Sequence, residues 1–320
     1  MTAQDHRIET RIGRYGKAAI EDAAALIRAG QLVAVPTETV YGLAGRADSG
    51  EAVARIYAAK GRPSFNPLIV HVASVAQAET LGIFDDRAHQ LVEAFWPGPL
   101  TLVLPLQSDA PLAGLTTAGL DTVALRMPAH RAMRALLDAT ELPLAAPSAN
   151  ASGSISPTRA EHVARTLGGR IPLIIDDGAT SLGLESTIIG IDGGPARLLR
   201  PGPIGPDAIA RIIGIVSARS EKETISAPGQ LASHYAPSKP LRLNAAEADN
   251  GEWLIGFGSI SGQASLSPGG DLIEAAARLF DLLHEADDQP LPHIAMAPIP
   301  DTGLGVAIND RLRRAAAPRE

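Results

Sequence analysis

The chain has 320 residues, 45% of them hydrophobic, and a net charge of −7 at pH 7. This length suits one large domain or two unequal ones, and the apolar content excludes a wholly disordered chain. The absence of cysteine excludes disulfides, thiolate metal sites and a cysteine nucleophile. No apolar run reaches the roughly 20 residues of a membrane helix, and the polar start, Met1 to Arg14, is unlike a secretory signal. We therefore expect a cytoplasmic protein without a membrane partner.

Helical and strand patterns alternate along the first two thirds of the chain. Apolar residues at helical spacing predict helices over residues 17–29, 51–60, 87–95, 159–167 and 206–213. Short apolar runs predict strands over residues 32–35, 67–72, 101–106, 122–127, 144–146, 173–176, 187–191 and 196–199. This alternation indicates an α/β domain, and we expect its sheet to be mixed rather than purely parallel.

A second, smaller α/β unit is expected after a linker. Residues 216–240 combine a charged cluster with three prolines and show no clear period, which is typical of an interdomain segment. Beyond it, strands are predicted over 253–257 and 293–297, and helices over 272–286 and 304–316. The predicted division is a large domain at 1–215, a linker at 216–240 and a small domain at 241–320.

Polar residues cluster at four predicted strand ends, where open α/β sheets bind ligands. The clusters are PTETVYGL at 36–43, KGRPSFNP at 60–67, AAPSANASG at 145–153, and ESTII with LLRPGPI between 185 and 204. Structural alternatives stay open for each. Thr37 or Thr39 would also serve as a helix cap, cations at a helix end complement its dipole, and a strand histidine such as His71 is more often a core residue.

The cations of these clusters suggest an anionic ligand. Arg126 lies inside an apolar strand, so it needs a partner, either a protein carboxylate or a ligand. With Lys60, Arg62 and Arg200 it forms a set that suits a polyphosphate together with a carboxylate. The chain has neither a phosphate-binding loop of the G-x-x-x-x-G-K type nor a G-x-G-x-x-G turn. Any nucleotide is therefore expected to bind without a glycine cradle.

The order of these motifs resembles the YrdC-like family. PTETVYGL, KGRP before NPLIVHV, PSANASG before SPT, ESTII and LLRPGPI follow the family's order. PGQLASHYAP and TGLGVAINDRLRRAA resemble the second half of its long, two-domain members, the threonylcarbamoyl-AMP synthases. The resemblance implies a large YrdC-like α/β domain with a twisted mixed sheet, followed by a smaller Rossmann-like C-terminal domain.

The resemblance also implies an activity. Family members join L-threonine, bicarbonate and ATP, with Mg²⁺ accompanying the ATP, into threonylcarbamoyl-adenylate, pyrophosphate and water. The resemblance thus implies that the chain is a nucleotidyltransferase in tRNA processing. A downstream enzyme would then transfer the threonylcarbamoyl group to tRNA, and a transient contact with RNA stays open.

Residue roles follow from the same resemblance. The expected catalytic residues are Lys60 and Arg62. The residues expected to bind ATP are Lys60, Arg62, Asn66, Thr122, Ser148, Asn150, Ser156, Arg200 and Tyr235. The residues expected to bind threonine are Thr39, His71, Arg126, Ala146 and Ser186. The linker, with His234 and Tyr235, is a candidate lid, although Gln230, Ala232 and Ser233 depart from the family's pattern. Which residues would hold a metal stays open.

Two alternative functions remain at this point. A YrdC-like fold could serve as a binding module for double-stranded RNA or a ribosomal precursor, which requires many spread cations. The acidic total and the few cations placed among hydroxyls favour catalysis instead. An enzyme that uses carbamoyl phosphate is the other alternative; such domains lie in longer chains with zinc-finger cysteines, and this chain has no cysteine.

Overall fold

The computed structural model describes residues 8–218 and 234–318. The helices that accompany its larger sheet are α1 Lys17–Arg28, α2 Gly50–Lys60, α3 Val75–Glu79, α4 Asp86–Phe95, α5 Arg131–Thr140, α6 Ala160–Leu167 and α7 Pro206–Ile213. The strands are β1 Arg11–Arg14, β2 Val33–Pro36, β3 Tyr41–Arg46, β4 Ile69–His71, β5 Leu100–Pro105, β6 Thr122–Arg126, β7 Leu144–Ala145, β8 Leu173–Asp176, β9 Thr187–Gly190, β10 Arg197–Arg200 and β11 Ser217–Ala218.

The larger sheet is mixed, as the sequence predicts. Its strands lie in the order β1-β8-β2-β3-β7-β4-β6-β5-β9-β10-β11. Neighbours such as β4 and β6 run parallel, whereas β2 and β3 run antiparallel. Helices cover the sheet, and two large apolar clusters form beside it, one of them around α1 and α5.

The smaller sheet is entirely parallel in its observed pairings. It contains β12 Leu241–Arg242, β13 Glu252–Gly256, β14 Ala264–Ser265 and β15 His293–Met296, in the order β12-β15-β13-β14. A parallel pair needs a crossover connection, and for β13 and β15 the chain passes through β14 and the helix α8 Leu272–Asp288. The helix α9 Leu304–Ala316 follows β15.

The two sheets share apolar packing. The cluster around β13, β15 and α8 also contains Val40, Ile155 and Leu184, which belong to loops of the larger sheet. The smaller sheet is therefore packed directly against the loops that follow β2 and β7 and precede β9.

Several elements differ from the sequence-based expectation. The polar start of the chain contributes β1, which pairs with β8, and the segment at 36–43 forms a turn and β3 rather than a helix cap. The Thr37 hydroxyl accepts from the backbone nitrogens of Thr39 and Val40 and so closes this turn. Gly42 and Gly45 obscure the β3 strand pattern in the sequence. The helices α3 and α5 and the short strands β12 and β14 also escaped prediction.

The expected linker is described only in part. Residues 219–233, which include Gln230, Ala232 and Ser233, lie outside the described residues. The beginning of the predicted linker is a strand, because Ser217 and Ala218 form β11 and pair in parallel with β10.

Candidate active site

The sheet register gathers the predicted site residues into one row across the larger sheet. His71 ends β4 and lies opposite Arg126, the last residue of the parallel strand β6. Further across, Ile188 of β9 pairs with both Thr101 of β5 and Arg200, the last residue of β10. Residues that are far apart in the chain therefore meet at one side of the sheet.

A narrow cavity lies over this row, with a volume of about 50 Å³. Its wall combines sheet residues with the loop after β7, the segment before β9 and the segment that begins at His234. The lining residues are Thr39, Val40, Arg62, Ile69, His71, Arg126, Ala146, Pro147, Ser148, Glu185, Ser186, Arg200, His234 and Tyr235. This volume has room for a few water molecules and is far too small for a nucleotide.

Arg126 is held by a protein carboxylate, one of the two partners that the sequence leaves open. Its Nη2 lies 2.6 Å from Glu38 Oε1, and its Nη1 donates to Thr39 Oγ1 at 3.0 Å. The other Glu38 oxygen accepts from the backbone nitrogen of Ala129. Burial alone would raise the pKa of Glu38, but the charge and hydrogen bonds of Arg126 outweigh burial and hold it below its usual value. The pair fixes the guanidinium at the cavity wall.

His71 does not behave as a satisfied core histidine. It is 2% exposed and lines the cavity, and its Nδ1 has no hydrogen-bond partner within the described ranges. Burial, together with the nearby Arg126 charge, lowers the pKa of His71 to about 3. The neutral imidazole therefore offers one free nitrogen to a bound molecule.

The K-x-R and S-x-N motifs meet in space. Lys60, at the end of α2, donates from Nζ to the carbonyl oxygens of Ser148 and Asn150, both at 2.6 Å. The Ser148 hydroxyl donates to Asn150 Oδ1 at 2.6 Å, and Asn150 Nδ2 donates to the carbonyl of Ser154. Lys60 thus shapes the small-residue loop after β7 and stands behind the cavity wall rather than in it.

Arg62 and Asn66 carry unsatisfied polar atoms beside the cavity. Arg62 donates only to backbone carbonyls, including that of Pro67 at 3.1 Å, and its Nε has no partner among the described residues. Both polar side-chain atoms of Asn66 are likewise without a partner there. Burial lowers the pKa of Arg62 to about 10. Burial and the nearby Arg62 charge both lower the pKa of Lys60. Buried polar atoms are normally satisfied, so this concentration points to a bound molecule.

A second group of polar residues closes the other side of the cavity. Arg200 donates to the carbonyl of Ser186 at 2.9 Å and to its hydroxyl at 3.1 Å. The hydroxyls of Ser186 and Thr101 lie 2.7 Å apart. Ser156 donates its hydroxyl to Glu185, whose side chain also lines the cavity.

Comparison with known proteins identifies the chain. A family model described as telomere recombination matches residues 25–202, and a model of the threonylcarbamoyl-AMP synthase C-terminal domain matches residues 204–317. The threonylcarbamoyl-AMP synthase of Bacillus subtilis is 43% identical, covering 94% of this chain and 93% of its own. The chain belongs to the threonylcarbamoyl-AMP synthase family. The resemblance inferred from the motifs is confirmed.

Further relatives of the family support this assignment along the full chain. The threonylcarbamoyl-AMP synthase of Pyrococcus abyssi is 42% identical over 94% of both chains. A crystal structure of the P. abyssi protein Sua5, complexed with L-threonine, superimposes with a TM-score of 0.88. It is 40% identical and covers 96% of this chain and 97% of its own. The mixed α/β fold with a second parallel sheet is thus a known architecture of the threonylcarbamoyl-AMP synthase family.

The structure places the predicted site residues of this synthase at three levels. Those that line the cavity are Thr39, Arg62, His71, Arg126, Ala146, Ser148, Ser186, Arg200 and Tyr235. Those that lie behind the wall and contact its residues are Lys60, Asn66, Asn150 and Ser156. Thr122 is at the far end of β6 from Arg126, about 13 Å along the strand, and does not line the cavity. Its role in ATP binding stays a prediction.

Two carboxylates were not predicted as site residues: Glu185 lines the cavity, and Glu38 holds the wall residue Arg126. Glu38 and Glu185 both lie within motifs noted in the sequence. A carboxylate next to an apolar strand indicates that a cation pairs with it, and this signal could have found them. His234 also lines the cavity, 6% exposed, and its Nδ1 has no partner in the described chain.

The described residues hold no ready-made metal site. Within 8–218 and 234–318, no group of three His, Asp or Glu side chains is placed to hold a metal ion. Glu185 in the cavity wall and Glu38 behind it are both engaged by arginines. No helix of the described chain is long and apolar enough to cross a bilayer.

Proposed function

We propose that this protein catalyses the formation of L-threonylcarbamoyladenylate from L-threonine, bicarbonate and ATP, with release of pyrophosphate and water. The reaction is a nucleotidyl transfer. The observation that carries the proposal is the set of unsatisfied buried polar atoms on Arg62, Asn66, His71 and His234 around one cation-lined cavity. The names of the relatives support the same reaction.

The Arg126 side of the cavity suits L-threonine. Its guanidinium, pinned by Glu38, is placed to meet the threonine carboxylate. The Thr39 hydroxyl and the free His71 nitrogen offer hydrogen bonds to the polar side chain, and the Ala146 carbonyl is placed to accept from the amine. The complex of the P. abyssi relative with L-threonine supports L-threonine as a ligand of this protein.

The Arg62 side suits the phosphates of ATP. In the described chain neither Lys60 nor Arg62 contacts a carboxylate, so a polyphosphate would supply the missing negative charge. A nearby anion would raise the pKa of both groups back toward their usual values. Arg200 is placed to add a third cation. Mg²⁺ would enter as part of the ATP complex, held mainly by phosphate oxygens, because the carboxylates at or near the cavity, Glu185 and Glu38, are already paired.

The residues present fit a mechanism without a covalent protein intermediate. The threonine amine attacks the carbon of bicarbonate, water leaves, and an N-carboxy-threonine forms. An oxygen of the new N-carboxy group then attacks the α-phosphorus of ATP, and pyrophosphate departs. The cations orient the reactants and stabilise the charge that develops on the phosphoryl oxygens. A closed cavity protects the carbamate and the mixed anhydride from water.

The size of the cavity supports a moving cover. His234 and Tyr235 are almost fully buried, and both line the cavity. Because a volume of about 50 Å³ cannot hold ATP, these two residues would have to withdraw for the nucleotide to enter. We assign the role of a lid to the segment that contains them.

The proposal extends to the organisation and partners of the chain. Residues 1–215 would form the catalytic domain, 216–240 the connecting lid and 241–320 a small domain; Ser217 and Ala218 at the start of the lid segment pair with β10 of the larger sheet. The labile product calls for a downstream enzyme that transfers the threonylcarbamoyl group to tRNA, with at most a transient contact between RNA and this chain. Such work on tRNA places the protein in the cytoplasm.

A product assay tests the proposal. The pure protein is incubated with ATP, Mg²⁺, L-threonine and bicarbonate, and threonylcarbamoyl-adenylate is measured by mass spectrometry. We expect product with the wild-type chain, none without bicarbonate, and very little with Arg62→Ala. Arg211→Ala, on the exposed side of α7, is the matched control and should retain activity. Binding of ATP without product would overturn the reaction, and salt-sensitive RNA binding in its place would favour the RNA-binding alternative.

A further inference from the structure

A buried arginine of the helix α9, in the second unit, contacts a residue of the cavity wall. Arg311, on α9, is fully buried, and its Nε lies 2.8 Å from Glu185 Oε2. Its Nη1 contacts Asp310, the preceding residue, at 2.7 Å. Arg311 does not line the cavity, whereas Glu185 does. A side chain that belongs to the second unit therefore reaches the wall of the site.

Glu185 is held from both sides. One carboxylate oxygen accepts from Arg311, and the other accepts from the hydroxyl of Ser156. With both oxygens engaged, the side chain has one orientation available at the cavity wall. Loss of Arg311 would leave the buried carboxylate of Glu185 without its cation. Because this arrangement is unfavourable, Glu185 would adopt a new rotamer or become protonated.

Arg311 also supports the residue that covers the cavity. Its Cζ lies 5.3 Å from the ring centroid of Tyr235, a cation–π contact. The same ring packs 5.7 Å from that of Phe280 on α8. Tyr235 has φ of +64°, in the left-handed region that L-residues with a side chain rarely adopt. A conformation of this kind persists only where surrounding contacts enforce it, and here the smaller sheet and its helices supply them.

We propose that Arg311 is a positioning residue for ATP, acting through Glu185 and Tyr235, so that the second unit completes the nucleotide side of the catalytic cavity; this rests on the proposed function. The threonine side is built differently. Arg126 is fixed by Glu38, a contact made within the larger sheet and its loops. Loss of Arg311 should therefore affect ATP and threonine unequally.

Steady-state kinetics of the full chain separate this role from simple docking of the two units. We expect Arg311→Met to raise the KM for ATP about tenfold, which corresponds to the net loss of one hydrogen bond to a charged group. The KM for threonine should change by less than about twofold. Arg311→Lys should restore part of the ATP affinity. Arg313→Met, an exposed residue of the same helix, is the matched control and should leave both constants unchanged.

A double variant removes the remaining ambiguity. In Arg311→Met with Glu185→Gln the carboxylate that would lose its cation is itself neutral, so the free energy of unfolding should recover toward the wild-type value while the KM for ATP stays raised. A lower active fraction with unchanged KM values, or an equal rise in both KM values, would overturn the proposal. ATP affinity is also measured by calorimetry in each variant. If the wild-type chain makes no adenylate, that affinity still decides the role of Arg311, and only the reaction is refuted.

Discussion

The contribution of the buried ion pair between Arg126 and Glu38 to the free energy of unfolding can be measured directly. The joined atoms lie 2.6 Å apart, and the two side chains are only 4% and 10% exposed. Removing one partner of a buried pair leaves an uncompensated charge, which costs about 3–5 kcal/mol. We therefore expect Glu38→Gln and Arg126→Met each to lower the free energy of unfolding by about 3 kcal/mol, as measured by urea denaturation.

The double variant tests whether the two side chains act as a unit. Because neither charge is left alone when both are replaced, the double variant should lose at least about 2 kcal/mol less than the sum of the single losses. Additivity within about 0.5 kcal/mol would refute the reasoning, since it would mean that each side chain contributes independently.

The same pair carries a pH dependence with a definite sign. The folded-state pKa of Glu38 lies below its usual value, so the pair's contribution to stability is present above the unfolded pKa of about 4.5 and is lost as the pH falls.

In activity assays both single variants, Glu38→Gln and Arg126→Met, should raise the KM for threonine more than the KM for ATP. A selective effect on ATP would contradict the placement of threonine beside Arg126.

Three further predictions follow from other contacts. Lys60→Met removes two hydrogen bonds of 2.6 Å to backbone carbonyls and should raise the KM for ATP at least about tenfold, with a smaller effect on threonine. His162 and His284 stack at 3.8 Å with folded pKa values of about 3 and about 4. Because the unfolded chain binds more protons between those values and about 6.5, the free energy of unfolding should fall as the pH drops through that window, less steeply in His284→Gln. Equal slopes would contradict this. Gly202→Ala should lower the Tm markedly because its Cβ would lie 2.4 Å from a backbone nitrogen of β9, whereas Gly194→Ala, with open space around it, should not.

The local part of the architecture was predictable from the sequence. The helix that ends at Lys60 and the strand that ends at Arg126 both appear close to their expected bounds, because apolar periodicity and the stop signals of glycine and proline act within a few residues. The α5 helix and β3 were missed. In β3 the burial of two glycines hides the alternation on which a strand prediction depends.

The contacts that build the site depend on long-range pairing, and no local pattern reports it. Glu38 and Arg126 are 88 residues apart, and Glu185 and Arg311 are 126 apart. The sequence indicated that Arg126 needs an anionic partner but not which one. The motifs identified the wall residues through the family resemblance. Arg311 lies within the motif TGLGVAINDRLRRAA, but nothing in that motif indicated that this arginine contacts the site.

In this chain, the distribution of charge around the cavity shows what the second unit contributes to the site. Burying Lys60 and Arg62 without carboxylate partners is unfavourable, and a ligand that neutralises them can bind tightly only if water is excluded. The larger sheet supplies a floor and one wall, but the cover at Tyr235 adopts a backbone conformation that its own segment would not hold. The apolar cluster of the smaller sheet, which takes in Tyr235 and Val40, offsets that cost with packing. Exclusion of water from the cationic cavity is therefore a property of the two packed units together.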